Sequence, residues 1–175
     1  ALILTDFKQK HILPKYDLLI LDEAHNFENN AINAFTTNIN RKRLMVLLNL
    51  SNMKYCQMGF RAARIFSQIQ QWQKSMRARI DDFILSLDEG RYREPESGRE
   101  GQNLLGLIKE LYPFVEKAIN KTEVHISKHA LTNLFAEAQK LGEDLQSWLY
   151  QDKPDFVYWV ENREAKFVPI DISAF

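Results

Sequence analysis

Residues 62–87 read AARIFSQIQQWQKSMRARIDDFILSL. Within them Ala62, Phe66, Ile69, Gln73, Met76, Ile80, Phe83 and Leu87 recur at spacings that alternate between four and three. That alternation holds one stripe on one side of an α-helix and predicts a seam about 39 Å long. Asp88-Glu89-Gly90 stops it. A second seam, Leu131, Leu134, Ala138, Leu141, Leu145 and Trp148, follows Ser127, which is expected as its N-cap. Between the two, Leu104, Leu107, Ile108, Leu111, Val115 and Ile119 mark a helix over about 102–120, in which Pro113 predicts a kink. Upstream, Phe27, Ala31, Phe35 and Ile39 recur every four residues, and Leu44, Leu47 and Leu48 extend the apolar face. The expectation is a mostly α fold of about four helices in long antiparallel pairs. Two seams could also build a coiled-coil dimer, but both lie in one short chain, which favours an intramolecular pair and a monomer.

The period changes at both ends. Tyr16-Asp17-Leu18-Leu19-Ile20-Leu21 is a continuous apolar run after Pro14, the pattern of a strand buried on both faces in a parallel sheet. Phe156–Glu161 is rich in β-branched and aromatic residues, Asn162–Ala165 reads as a turn, and Lys166–Ile172 as a second strand. Polar residues with Pro95 and two glycines make Arg91–Gly101 a loop. Three segments follow: 1–26, an α/β edge; 27–152, a helical unit; and 153–175, a hairpin.

Hydrophobic residues make up 45% of the 175 and charged residues 26%, enough apolar surface for a core and too much for wholesale disorder. No apolar run reaches the roughly 18 residues of a membrane span. A single cysteine, Cys56, excludes an internal disulfide and reads as a small buried hydrophobe. No signal peptide opens the sequence, so the cytoplasm is the expected compartment.

A formal net charge of zero conceals an asymmetry. From Asn29 to Ile80 there is no acidic residue, and nine arginines and lysines give the segment +9. Phe35, Tyr55, Phe60, Phe66 and Trp72 are interleaved with them. Cations that neutralise phosphates, next to rings that stack on bases, suit single-stranded nucleic acid. Arg61, Arg64, Lys74, Arg77 and Arg79 are the candidate contacts; the competing reading is a solvated helix face. His125 and His129 have a metal-ligand spacing on a helix but lack a third ligand nearby, and read as surface residues.

The apolar run at 18–21 ends in Asp22-Glu23-Ala24-His25. A buried strand ending in Asp-Glu is the second nucleotide motif of P-loop ATPases, because ligands sit at the carboxyl ends of strands in open α/β sheets. Asp22 would then hold a Mg²⁺ bridging the phosphates, and Glu23 would polarise an attacking water. His25 could link the nucleotide site to a neighbouring element.

The tetrad after Leu18-Leu19-Ile20-Leu21 resembles the DEAH box of superfamily 2 helicases, and the stretch Asp17–Glu28 is similar to the DinG/XPD group of DNA helicases. The resemblance implies a helical arch insertion after the box and a return to the motor domain through segments like Val157–Glu161 and Val168–Ser173, the latter pair closer to bacterial DinG. It also implies ATP and Mg²⁺ as cofactors, with Asp22, Glu23 and His25 at their site. Single-stranded DNA and the remaining motor domains in cis would be the partners. A phosphate-binding loop, Gly-x4-Gly-Lys followed by Ser or Thr, is missing: Gly101 and Gly106 have the spacing, but Leu107-Ile108 follow. The expectation is therefore a fragment of an ATP-dependent helicase, inactive alone and binding no nucleotide. The family's iron–sulfur cysteines, where they exist, precede the box, so a cluster is neither assigned nor excluded. The alternative is a free-standing helical nucleic-acid-binding or scaffold module.

Overall fold

The computed structural model describes residues 18, 20, 24–92 and 98–171. After a single 3₁₀ turn at Ala24–Asn26, the chain forms α1 (Phe27–Phe35), β1 (Thr37–Ile39), α2 (Arg41–Asn52), α3 (Lys54–Ala62) and α4 (Phe66–Ser86). It continues through β2 (Gly90–Tyr92), α5 (Arg99–Lys121), α6 (His125–Tyr150), β3 (Phe156–Glu161) and β4 (Glu164–Pro169). Helices dominate, as the seams require, and the strands form one small antiparallel sheet.

The longest helices carry the seams. Leu131, Leu134, Ala138, Leu141, Leu145 and Trp148 are all buried along α6, and Ile69, Met76, Ile80 and Phe83 along α4. Each leucine, isoleucine, methionine or phenylalanine among them contributes roughly 1.5–3 kcal/mol of transfer free energy. α5 lies along α6, and α4 along α5. Gly142 sets the closeness of the α5–α6 contact, since a Cβ there would fall 2.3 Å from the Tyr112 hydroxyl. That hydroxyl donates instead to the Ala138 carbonyl at 3.2 Å. Trp72, off the predicted seam, is buried between α4 and α5 and donates its indole N–H to the Leu107 carbonyl at 2.7 Å.

Several boundaries differ from the sequence reading. The 62–87 seam is not one helix: Arg64 adopts φ 58°, ending α3 and starting a new helix at Phe66. Likewise the every-four pattern from Phe27 to Ile39 divides into α1 and β1, because Ile39 is buried in the sheet. Among the described residues six α-helices therefore stand where about four were expected. Gly90–Tyr92, at the edge of the expected loop, is a strand paired with β3. α6 begins at His125, before Ser127, whose buried hydroxyl has no partner among the described residues, so Ser127 does not cap it. α5 runs without interruption across the exposed Pro113.

The hairpin forms where the pattern placed it. Asn162 and Arg163 adopt φ 54° and 56°, the two-residue left-handed turn whose twist matches a β-hairpin. β3 and β4 are the inner pair of a sheet ordered β1-β4-β3-β2. Thr37 pairs with Phe167 and Ile39 with Ala165, so the strand after α1 lies beside the last strand. Ile39, Tyr158, Val160, Ala165 and Phe167 join the same core as the helices. Leu18 and Ile20 are exposed and lie in no strand, and the rest of the strand expected over 16–21 is outside the described residues. No helix among the described residues is long and apolar enough to cross a membrane.

Candidate nucleic-acid interface

Asp22 and Glu23 lie outside the described residues. His25 sits in the exposed 3₁₀ turn leading into α1, its Nε2 3.0 Å from Asn26 Nδ2. Among the described residues no cluster of three or more His, Cys, Asp or Glu could hold a metal ion. His125 and His129 are both exposed on the first turns of α6.

The segment without acids acquires them through folding. Asp81 reaches Arg41 at 2.9 Å, Asp82 reaches Arg79 at 3.1 Å, and Asp144 binds Arg43. Arg61 spends its charge differently, lying 4.9 Å over the Phe66 ring, a cation–π contact across the α3–α4 corner. Arg64 is exposed at that corner in the left-handed conformation. Among the described residues neither Lys74 nor Arg77 has an acidic partner.

Lys74 and Arg77 are three apart on α4 and share a face with Gln70 and Gln73. Opposite them, α2 contributes Leu48 and Asn52, and the two helices enclose an open cleft of about 500 Å³. No residue of α2 is acidic, so nothing on that wall repels an anion. Arg79, two residues past Arg77, points to another face at 100° per residue and is held by Asp82. The five candidate cations thus divide: Lys74 and Arg77 line one cleft, Arg61 and Arg64 lie at the corner preceding α4, and Arg79 belongs to neither group.

Gln73 is the polar member of the α4 seam, and the structure gives it a partner on the next helix. Its Nε2 donates to Ser51 Oγ and to Asn52 Oδ1, both at 2.8 Å. A polar residue at a seam position is a registry signal, and here it pointed to the cleft floor. Asn52 and Gln70 carried no such mark. Of the interleaved aromatics, Phe60 and Trp72 are buried, Phe35 and Phe66 half-buried, and Tyr55 exposed on α3. Cys56, also on α3, is fully buried, and loss of water around it pushes its thiol up to about 11. It packs as a small hydrophobe and supplies no thiolate near neutral pH.

Comparison with family models, curated proteins and solved structures finds no match to this chain.

The arrangement that remains is electrostatic and polar. Two cations without an acidic partner among the described residues, together with three carboxamides, can hold a phosphate-bearing ligand with hydrogen-bonding edges.

Proposed function

We propose that the chain is part of a cytoplasmic ATP-dependent DNA helicase of the DinG/XPD group, acting in DNA repair or replication. In this reading Asp22, Glu23 and His25 belong to the nucleotide site of a motor domain, with ATP and Mg²⁺ as its cofactors. The helices that follow are the inserted arch, and the Lys74–Arg77 face meets the translocating single strand. Other motor segments of the same protein supply the phosphate-binding loop. The observation that carries the reading is the placement of β1 beside β4. An insertion needs its two connections close together, and β1, which follows the DEAH tetrad and α1, lies against β4 of the returning hairpin.

Glu23 would orient and polarise the water that attacks the terminal phosphate, and Asp22 would hold the Mg²⁺. In the complete protein, Glu23→Gln should therefore lower DNA-stimulated ATP turnover by about 10²- to 10⁴-fold, the range for a lost general base, while leaving nucleotide binding largely intact. Unchanged turnover would defeat the helicase reading. Strand binding that persisted in that case would favour a free-standing nucleic-acid-binding module.

A further inference from the structure

We propose that the cleft between α2 and α4 seats one nucleotide unit, its phosphate between Lys74 and Arg77 and its base edge on the carboxamides of Asn52 and Gln73. The proposal rests on the strand-binding reading above and adds a base-reading subsite to it.

Size is the first argument. A volume of about 500 Å³ lies in the range of small-ligand sites, about 300–1,000 Å³, and is more than a bare phosphate requires. Charge is the second. Arg41, Arg43 and Arg79 of the same basic segment are matched by Asp81, Asp144 and Asp82. The two cations lining the cleft are left without such a match among the described residues, and no acid lines it.

Polar geometry is the third argument, and it separates a seat from a charged stripe. Gln73 commits both Nε2 hydrogens, one to Ser51 Oγ and one to Asn52 Oδ1. Its Oε1 is therefore held as an acceptor. The same bond engages Asn52 Oδ1 and leaves Asn52 Nδ2 as a donor. The Asn52 backbone is held in turn, its carbonyl accepting from Gln57 Nε2 at 2.9 Å. A fixed acceptor beside a fixed donor matches the edge of an unpaired base, and carboxamides are the side chains that pair with such edges. Leu48, itself buried, closes the floor of the cleft. Helix–helix packing sets this constellation, since α2 and α4 are each anchored in the core by Leu44, Leu47, Ile69 and Met76.

The test compares a labelled oligothymidylate with an abasic oligonucleotide of the same length and charge, titrated at several salt concentrations. Folding of each variant is checked by circular dichroism. The base-bearing strand should bind about twofold to tenfold more tightly for each hydrogen bond that the seat makes to a base edge. Asn52→Ala and Gln73→Met should shrink that preference without altering the salt dependence. Lys74→Ala with Arg77→Ala should instead lower the log–log salt slope by about 0.7 for both strands, the value for one phosphate no longer neutralised. Thymidine 5′-monophosphate is the competing probe. Displacement by it at millimolar concentration assigns the cleft to free nucleotide as well as to a strand; retained base preference without displacement assigns it to a strand alone. Equal binding of the two oligonucleotides, with the slope still responding to Lys74 and Arg77, overturns the base-reading subsite and leaves the strand reading intact. Binding of neither oligonucleotide, or a slope indifferent to both cations, overturns the strand reading itself.

Discussion

Arg43 joins three elements, and removing its partner should be felt throughout the fold. One guanidinium nitrogen donates to the Asn38 carbonyl of β1 at 3.0 Å, and the other binds Asp144 of α6. The Arg43 backbone N–H donates to Asn40 Oδ1, the cap of α2, at 2.9 Å. The two side chains are 25% and 18% exposed, so the pair is neither a free surface bridge nor fully dry. Exposed pairs contribute about 0.2–1 kcal/mol, whereas breaking a fully buried one costs about 3–5. Asp144→Ala should therefore cost about 1–3 kcal/mol, most of it from leaving a half-buried cation with only the Asn38 carbonyl. For a chain of 175 residues that lowers the melting temperature by roughly 2–12 °C. Arg43→Met strands the Asp144 carboxylate in the same way and should cost a similar amount, whereas the double variant leaves neither charge unpaired. Urea unfolding of both single variants and the double variant gives the coupling, expected at about 1–2 kcal/mol. A coupling below about 0.5 kcal/mol would mean that the two side chains act independently, and the three-element clamp would have to be given up.

Other outcomes follow from the same coordinates. Met76 is fully buried on α4, so Met76→Ala should destabilise by about 2–5 kcal/mol in urea titration; a loss under 1 kcal/mol would place it outside the packed core. Cys56, with its thiol raised to about 11 and no exposed surface, should react with a thiol reagent at pH 8 only as fast as the chain unfolds; fast labelling of the native state would contradict its burial. The hydrogen bond to Glu161 raises Lys166 above 10.5, so what Lys166 adds to stability is complete below that pH and is lost as the pH rises through the raised value. Thermal melts from pH 9 to 12 should fall more steeply for the native protein than for Lys166→Met, and parallel curves would refute the assignment.

Where packing is local and periodic, the sequence was readable. The α6 seam is buried residue for residue, and the strands at 156–161 and 164–169 nearly coincide with the hairpin read from β-branched and aromatic residues. The break at Arg64 was invisible, because no glycine or proline marks it and the apolar spacing continues across it. β1 is three residues long, and its Ile39 falls on the helical spacing of α1. Only pairing with a distant segment makes it a strand. The basic face was legible as composition, but which of its charges stay free was not. Asp81 and Asp144 come from 40 and 101 residues away, and such distant pairing leaves no mark in a charge count. Lys74 and Arg77 could be named from α4 alone, whereas Asn52 needed a second helix laid beside it.

The neighbouring placement of β1 and β4 also sets how the unit would respond to load. The chain enters β1 at Thr37 and leaves β4 at Pro169, and Thr37 stands opposite Phe167. Both tethers therefore leave from the same end of an antiparallel pair. Tension drawing them apart would part the hydrogen bonds one rung at a time, as a zip opens, rather than stressing them together as sliding the strands lengthwise would. The rungs next to the tethers would yield first. The Arg43 grip on the Asn38 carbonyl stands at the middle rung and the Asn40–Glu164 bond of 3.1 Å at the far end, as the stops that resist the tear before it reaches α2.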